Sequence, residues 1–280
     1  MKISAKLILA YVSLILISIF TAFSYARIDP ESAVGIWLFD EGTGKVAKDS
    51  SENNNDGTLE NSPKWAEGKL DKAVEFNGKD TYVEVPDTES LDITDAITIL
   101  GWVYPNSYGQ SNGKKPVAGD GSSVNILSKM VSENSYIGPF WWEYRNNGNL
   151  NAYFAAVPAD TYLTPTIPDL PADEWSHIAS TYDSSKGIAN VYLNAAVVDT
   201  KSNPNFGPLR EGIALVFGTG KGGQYGNYYN GKLDDVAIFH AVLDANDIND
   251  IMNKGLGRTL GITAVSPSGK LAAVWGSIKK

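Results

Sequence analysis

The chain has 280 residues, no cysteine, two histidines, and 32 acidic against 23 basic side chains, a formal net charge of −9. Such a surface repels nucleic acid phosphates and anionic membranes, which argues against both as partners. The absence of cysteine rules out disulfides, and His177 and His240 alone make a poor zinc set.

Taken in chain order, residues 1–26 read as a signal peptide. Lys2 and Lys6 precede the apolar run LILAYVSLILISIFTAF, and Ser24 and Ala26 occupy the small-residue positions of a cleavage site. The run is slightly longer than is usual, so an uncleaved anchor is the other reading. Either way the protein is expected to be secreted, at the cell surface or in the periplasm, with no other membrane contact. Residues 27–33 read as a short polar linker.

Short apolar runs rich in β-branched and aromatic residues follow, separated by Gly, Asn, Asp and Pro clusters: VGIWLFD, AVEFNG, TYVEVP, AITILGWVYP, SVNILSKM, WSHIASTYD, IANVYLN, IALVFGTG and KLDDVAIFH. With almost no helical periodicity, this predicts a sandwich of two antiparallel sheets in one domain. LDANDINDIMNKG is the exception. Asp244 can cap a short helix there, Ile248, Ile251 and Met252 share a face, and Gly255 stops it.

VGIWLFDEGTG, DSSENNNDGTL, GKLDKAVEFNGKDTYVEVPD, ITILGWVYP, DEWSHIASTYDSSKGIANVYLN and NGKLDDVAIFHAVLDANDI, in this order, resemble the concanavalin A-like, laminin G-like jelly roll in its bacterial secreted form. The resemblance spans residues 34–255. It implies two stacked, curved sheets, often a structural Ca²⁺, and ligand sites on loops or the concave face. It implies core roles for Trp37, Trp102 and Trp175, and a structural role for His177. It also implies a calcium set drawn from Asp40 or Glu41, the Gly78 carbonyl, and Asp234 or Asp235. Hydrolases on this fold carry Glu-x-Asp-x-Glu or a near variant along one strand. Here FWWEYRN offers Glu143 alone, and no Gly-x-Ser-x-Gly elbow occurs, so a non-enzymatic protein is expected.

The pair Trp141–Trp142 is the most informative local feature, because neighbouring side chains in a strand point to opposite faces. Phe140, Trp142 and Tyr144 form an apolar set; Trp141, Glu143 and Arg145 form the other. After NNGN, Leu150, Ala152 and Phe154 continue the apolar set, with Asn151 and Tyr153 opposite. A two-residue Asn-Gly turn would pair Trp142 with Tyr153 and mix the faces. A three-residue loop with a bulge keeps them apart, with Trp142 expected opposite Phe154. Trp141 is then expected on an open face beside Glu143, Arg145, Asn151 and Tyr153, as a platform for a sugar ring. The other reading is that the proline-rich segment 157–174 covers it.

The glycine-rich loop GKGGQYGNYYNG adds Tyr225, Asn227, Tyr228 and Tyr229 as candidate ligand contacts; it has no carboxylate for a pentraxin-type calcium. The leading functional expectation is a binding module for an extracellular glycan. The alternative is a surface-protein or adhesion partner on the same face. Residues 256–280 read as a tail outside the jelly roll core, removable after Gly257 without effect on melting.

Overall fold

A computed structural model describes residues 28–106, 123–129, 138–156, 161–220 and 227–262. The expected signal segment, Tyr225 and the residues beyond Ile262 lie outside the described residues.

The first strands are β1 (Ala33–Trp37), β2 (Val46–Ala47), β3 (Gly57–Glu60), β4 (Lys64–Glu67), β5 (Lys72–Asn77) and β6 (Tyr82–Val85). The middle of the chain supplies β7 (Ala96–Pro105), β8 (Ser123–Lys129), β9 (Phe140–Arg145), β10 (Leu150–Ala155), β11 (Tyr162–Leu163) and β12 (Thr166–Ile167). The last strands are β13 (Ser176–Asp183), β14 (Ile188–Leu193), β15 (Ala196–Ser202), β16 (Leu215–Phe217) and β17 (Asn230–Phe239), followed by α1 (Ala245–Lys254) and α2 (Leu256–Leu260).

These strands make the expected two antiparallel sheets. One runs β15-β14-β13-β7-β17-β5-β4, with β1 also on β17; the other runs β11-β10-β9-β8-β16-β6-β3-β2, with β12 also on β10. Alternation decides what lies between them. Val74, Val103 and Leu233 from the first sheet meet Trp142, Phe154 and Phe217 from the second. Trp37 is fully buried there, its ring edge-on to Phe217 at 5.0 Å. Trp142 also satisfies its indole N–H, which donates to Ser180 Oγ of the facing sheet at 2.8 Å.

Trp102 and Trp175 do not join that core. Val103 is the inward residue, so Trp102 and Tyr104 point outward from the first sheet, Trp102 under the Lys69 ammonium and Trp175 edge-on to Tyr104. His177 stands beside Trp102 at 5.1 Å between ring centroids, and burial lowers its pKa to about 4, which keeps it neutral.

The rest of that outer face carries a second apolar cluster. Leu100, Ala179, Ala237 and Phe239 are roofed by Leu243, Ile248, Ile251, Leu256 and Leu260. Asp244 caps α1 through a capping box with Asp247, and Gly255 follows at φ 81, a conformation that favours glycine. The domain does not end at Gly255, however. Leu256 and Leu260 are buried on α2, and the Leu256 amide donates to Asp235 Oδ2. The linker boundary moves as well, since Ile28 is buried and Asp29 caps a 3-10 turn at Pro30–Ser32. Truncation after Gly257, expected from sequence to be neutral, should instead lower the melting temperature by roughly 5–10 °C through the loss of Leu260. A thermal melt of the shortened chain that superimposes on the full-length curve would restore the tail to the outside.

Candidate functional site

The site is built on β9. Asn146, Asn147 and Gly148 form a three-residue loop, with the Arg145 amide donating to Asn149 O and the Gly148 amide to Arg145 O, both at 2.8 Å. Gly148 takes φ 86, the left-handed position such a loop requires. The faces therefore separate as expected, but the register differs by two residues. Trp142 lies opposite Ala152, Trp141 opposite Tyr153 and Tyr144 opposite Leu150.

This register assembles a polar row across the outer face of the second sheet. Glu143 lies opposite Asn125 on β8 and Asn151 on β10; Asn151 lies opposite Thr166 on β12; and Asn125 bridges to Tyr228 on its other side. The row is internally bonded. Arg145 Nε sits 2.5 Å from Glu143 Oε1, and Arg145 Nη2 donates to the Tyr153 hydroxyl at 2.8 Å. Thr166 Oγ1 donates to Asn151 Oδ1 at 2.9 Å, and the Thr166 amide donates to Asp199 Oδ2, a carboxylate also paired with Lys201. Asn125 and Thr166 escaped the sequence reading because only strand pairing brings them beside Glu143. The signal available was Asn125 alternating with Val124 and Ile126.

Trp141 is not an open platform. It is 7% exposed, stacked on Tyr153 at 4.3 Å and 6° between planes, with Tyr162 edge-on at 5.6 Å. Tyr162 belongs to the proline-rich segment, which therefore does cover it. Asn151 is also buried, leaving Glu143, Tyr153 and Tyr162 partly exposed and Arg145 exposed.

The glycine-rich loop divides. Asn227 and Tyr228 are partly exposed next to Asn125, whose amide donates to Asn227 O at 3.3 Å. Tyr229 points the other way. It is fully buried against Phe76, so it is a core residue and not a ligand contact. Glu143 has Asn125 and Asn151 as ladder neighbours, so this row does not supply the carboxyl pair about 5 Å apart of a retaining glycosidase.

The five residues expected to hold calcium do not form one set. Gly78 follows Asn77 at one end of β5, whereas Asp40 Oδ1 accepts from the Lys72 amide at the other, about 20 Å along the strand. Glu41 Oε1 accepts from the Lys48 amide instead. Asp234 and Asp235 do come together, because a bulge with Asp235 at φ 47 buries both neighbours. One oxygen of each serves the backbone, while Asp234 Oδ1 is buried without a hydrogen-bond partner among the described residues. Asp234 Oδ2 accepts from the Lys69 and Leu70 amides at 2.7 and 2.9 Å, and Asp235 Oδ2 from Leu256 at 3.3 Å. Among the described residues no three His, Cys, Asp or Glu side chains converge to hold a metal ion. Calcium wants six to eight oxygens, and the five residues named for it do not converge as one set, although Glu41 Oε2 and Asp234 Oδ1 are buried and unpartnered among the described residues.

Among curated proteins, none matches the chain by sequence. Solved structures do match its fold. The binding domain of Paraclostridial Mosquitocidal Protein 1 aligns at 15% identity and a TM-score of 0.63, covering 80% of this chain and 52% of that one. The receptor-binding domain of a botulinum neurotoxin C/D mosaic aligns at 14% identity and 0.60, again over 80% and 52%. A structure of botulinum neurotoxin type C aligns at 18% identity and 0.62, over 82% and 53%. The chain thus spans about half the length of these structures. A family model described as the concanavalin A-like lectin/glucanases superfamily matches residues 77–249, most of the folded domain. With its two-sheet antiparallel sandwich, the chain belongs to that superfamily, in its laminin G-like branch.

Proposed function

We propose that this chain is a non-catalytic binding module for an extracellular glycan, held across the outer face of the second sheet. The observation that carries the reading is the row Tyr228, Asn125, Glu143, Asn151 and Thr166, flanked by Tyr153 and Tyr162. It offers amide, hydroxyl and carboxylate groups for sugar hydroxyls and aromatic rings for C–H faces. Four inter-strand steps of about 4.8 Å make the row about 19 Å long, which suits several linked sugars. Glu143 is paired with Arg145 and Asp199 with Lys201, so the row suits an uncharged chain. The similar toxin domains add support of a coarser kind: botulinum neurotoxin type C depends on two ganglioside molecules to enter cells, and a related domain was solved in complex with rat synaptotagmin II. The basic and apolar N-terminal segment supports an extracellular location.

Affinity is expected to rise with oligosaccharide length until the ligand spans the row. Arg145→Ala and Asn125→Ala should each weaken binding about tenfold while moving stability by less than about 0.5 kcal/mol, as surface changes do. Isothermal titration with a length series of neutral glycans reads both. Variants that bind like wild type would remove this face from the account.

A second reading, a protein partner, rests on β15. That edge strand exposes Val197 and Val198, 51% and 41% accessible. Wild-type protein that binds no glycan on an array would favour it.

A further inference from the structure

An open cavity of about 460 Å³ lies at one end of the sandwich, far in sequence from β9 and β10. Its walls come from the 3-10 turn before β1, from β1 itself, from the Asp92–Ala96 run that leads into β7, and from the residue after β17. The volume is within the range of small-molecule sites.

The chemistry of the lining is one-sided. It includes the carboxylates of Glu31, Asp92 and Asp95 and the His240 imidazole, and neither lysine nor arginine. Asp92 is already committed, because the fully buried Lys129 ammonium lies 3.2 Å away and also contacts Asp87 at 2.9 Å. That ion pair anchors the wall and leaves two carboxylates for a ligand. Neither Glu31 nor Asp95 forms an ion pair among the described residues, and both are exposed. Asn53 uses its amide nitrogen on Ala33 O at 3.1 Å, which leaves its oxygen as an acceptor. The cavity is therefore rich in acceptors and negative charge, with Ser90, Thr94 and His240 as its side-chain donors. Val34, Ile93 and Ala96 add an apolar wall on the same cavity.

A complementary ligand must bring positive charge, several donors and a hydrocarbon face. A metal ion meets only the first requirement, and no three His, Cys, Asp or Glu side chains converge here among the described residues. A primary ammonium supplies three donors on one charge. We propose that this cavity is a second binding site, for a small hydroxylated molecule that bears a primary ammonium group, of the amino-sugar kind. The ammonium sits between Glu31 and Asp95, the hydroxyls reach Asn53 and Thr94, and the C–H face lies on Val34 and Ile93. The site is separate from the sheet-face row and stands or falls without it.

Glucosamine, glucose and N-acetylglucosamine titrated at about pH 6 and equal ionic strength test this, since only glucosamine then carries a protonated amine. Glucosamine should bind at least about tenfold more tightly than either neutral sugar. Glu31→Gln and Asp95→Asn should each weaken it several-fold, and the double change should abolish it. Because both side chains are exposed, the variants should melt like wild type. Arg145→Ala should leave glucosamine binding unchanged. Equal binding of the three sugars, no glucosamine binding at tens of millimolar, or full binding by the double variant would each overturn the proposal.

Discussion

Trp141→Ala is expected to destabilise the protein by about 3–5 kcal/mol, the range of large aromatic truncations in packed surroundings. On sequence grounds the same change would be nearly neutral, because Trp141 falls on the polar face of its strand. The structure reverses this. The ring is stacked on Tyr153 and closed by the edge of Tyr162, so its removal opens a cavity under the proline-rich segment. Trp142→Ala should cost at least as much, since it empties the core between the sheets and strips Ser180 Oγ of its donor. Tyr162→Ala should cost less, because Tyr162 is only partly buried and its own loss leaves Trp141 stacked. Urea denaturation of the three variants measures the order. A Trp141→Ala protein within about 1 kcal/mol of wild type would show that the cover is not closed, and would return Trp141 to the ligand face.

The second large effect concerns pH. Burial, reinforced by Asp235, raises the Asp234 pKa to about 8; burial, reinforced by Asp40 and Asp71, raises that of Asp235 to about 7. In the unfolded chain both carboxyls release their protons near the ordinary value of 3.8. Between that value and about 8 the folded state therefore holds more protons than the unfolded state. Stability is then fully present at acid pH and is lost as pH rises through 7 and 8. The loss from about pH 5 to about pH 8 should be on the order of a few kcal/mol. Asp234→Asn removes the charge but keeps an oxygen for the Lys69 and Leu70 amides, so it should flatten the profile and stabilise the protein most at the alkaline end. A parallel melt series with millimolar calcium should show the same slope. Calcium that abolished the alkaline loss would mean that the two carboxylates collect an ion after all, and a flat wild-type profile would mean that neither is held protonated.

The jelly roll was legible in the sequence because its causes are local and repeated. Alternating apolar residues specify which face of each strand is buried, and Gly, Asn and Asp clusters specify where strands stop. The split between Trp142 and Trp141 followed from that period alone; α1 followed from a helical apolar face and from its cap at Asp244 and stop at Gly255, all local. What period two cannot decide is what covers a face. Trp102 and Trp141 alternate away from the main core, yet one is buried under Lys69 beside His177 and the other under Tyr162, by segments remote in sequence. Register is equally a property of the assembled sheet, and a shift of two residues preserves every face while changing every neighbour. That is why the faces of β9 and β10 could be assigned in advance, whereas Asn125 and Thr166 could not be placed beside Glu143. Asp234 and Asp235 make the same point from the other side. Adjacent residues should diverge, and only the bulge in β17, formed where that strand meets β7, turns both carboxylates into one buried pair.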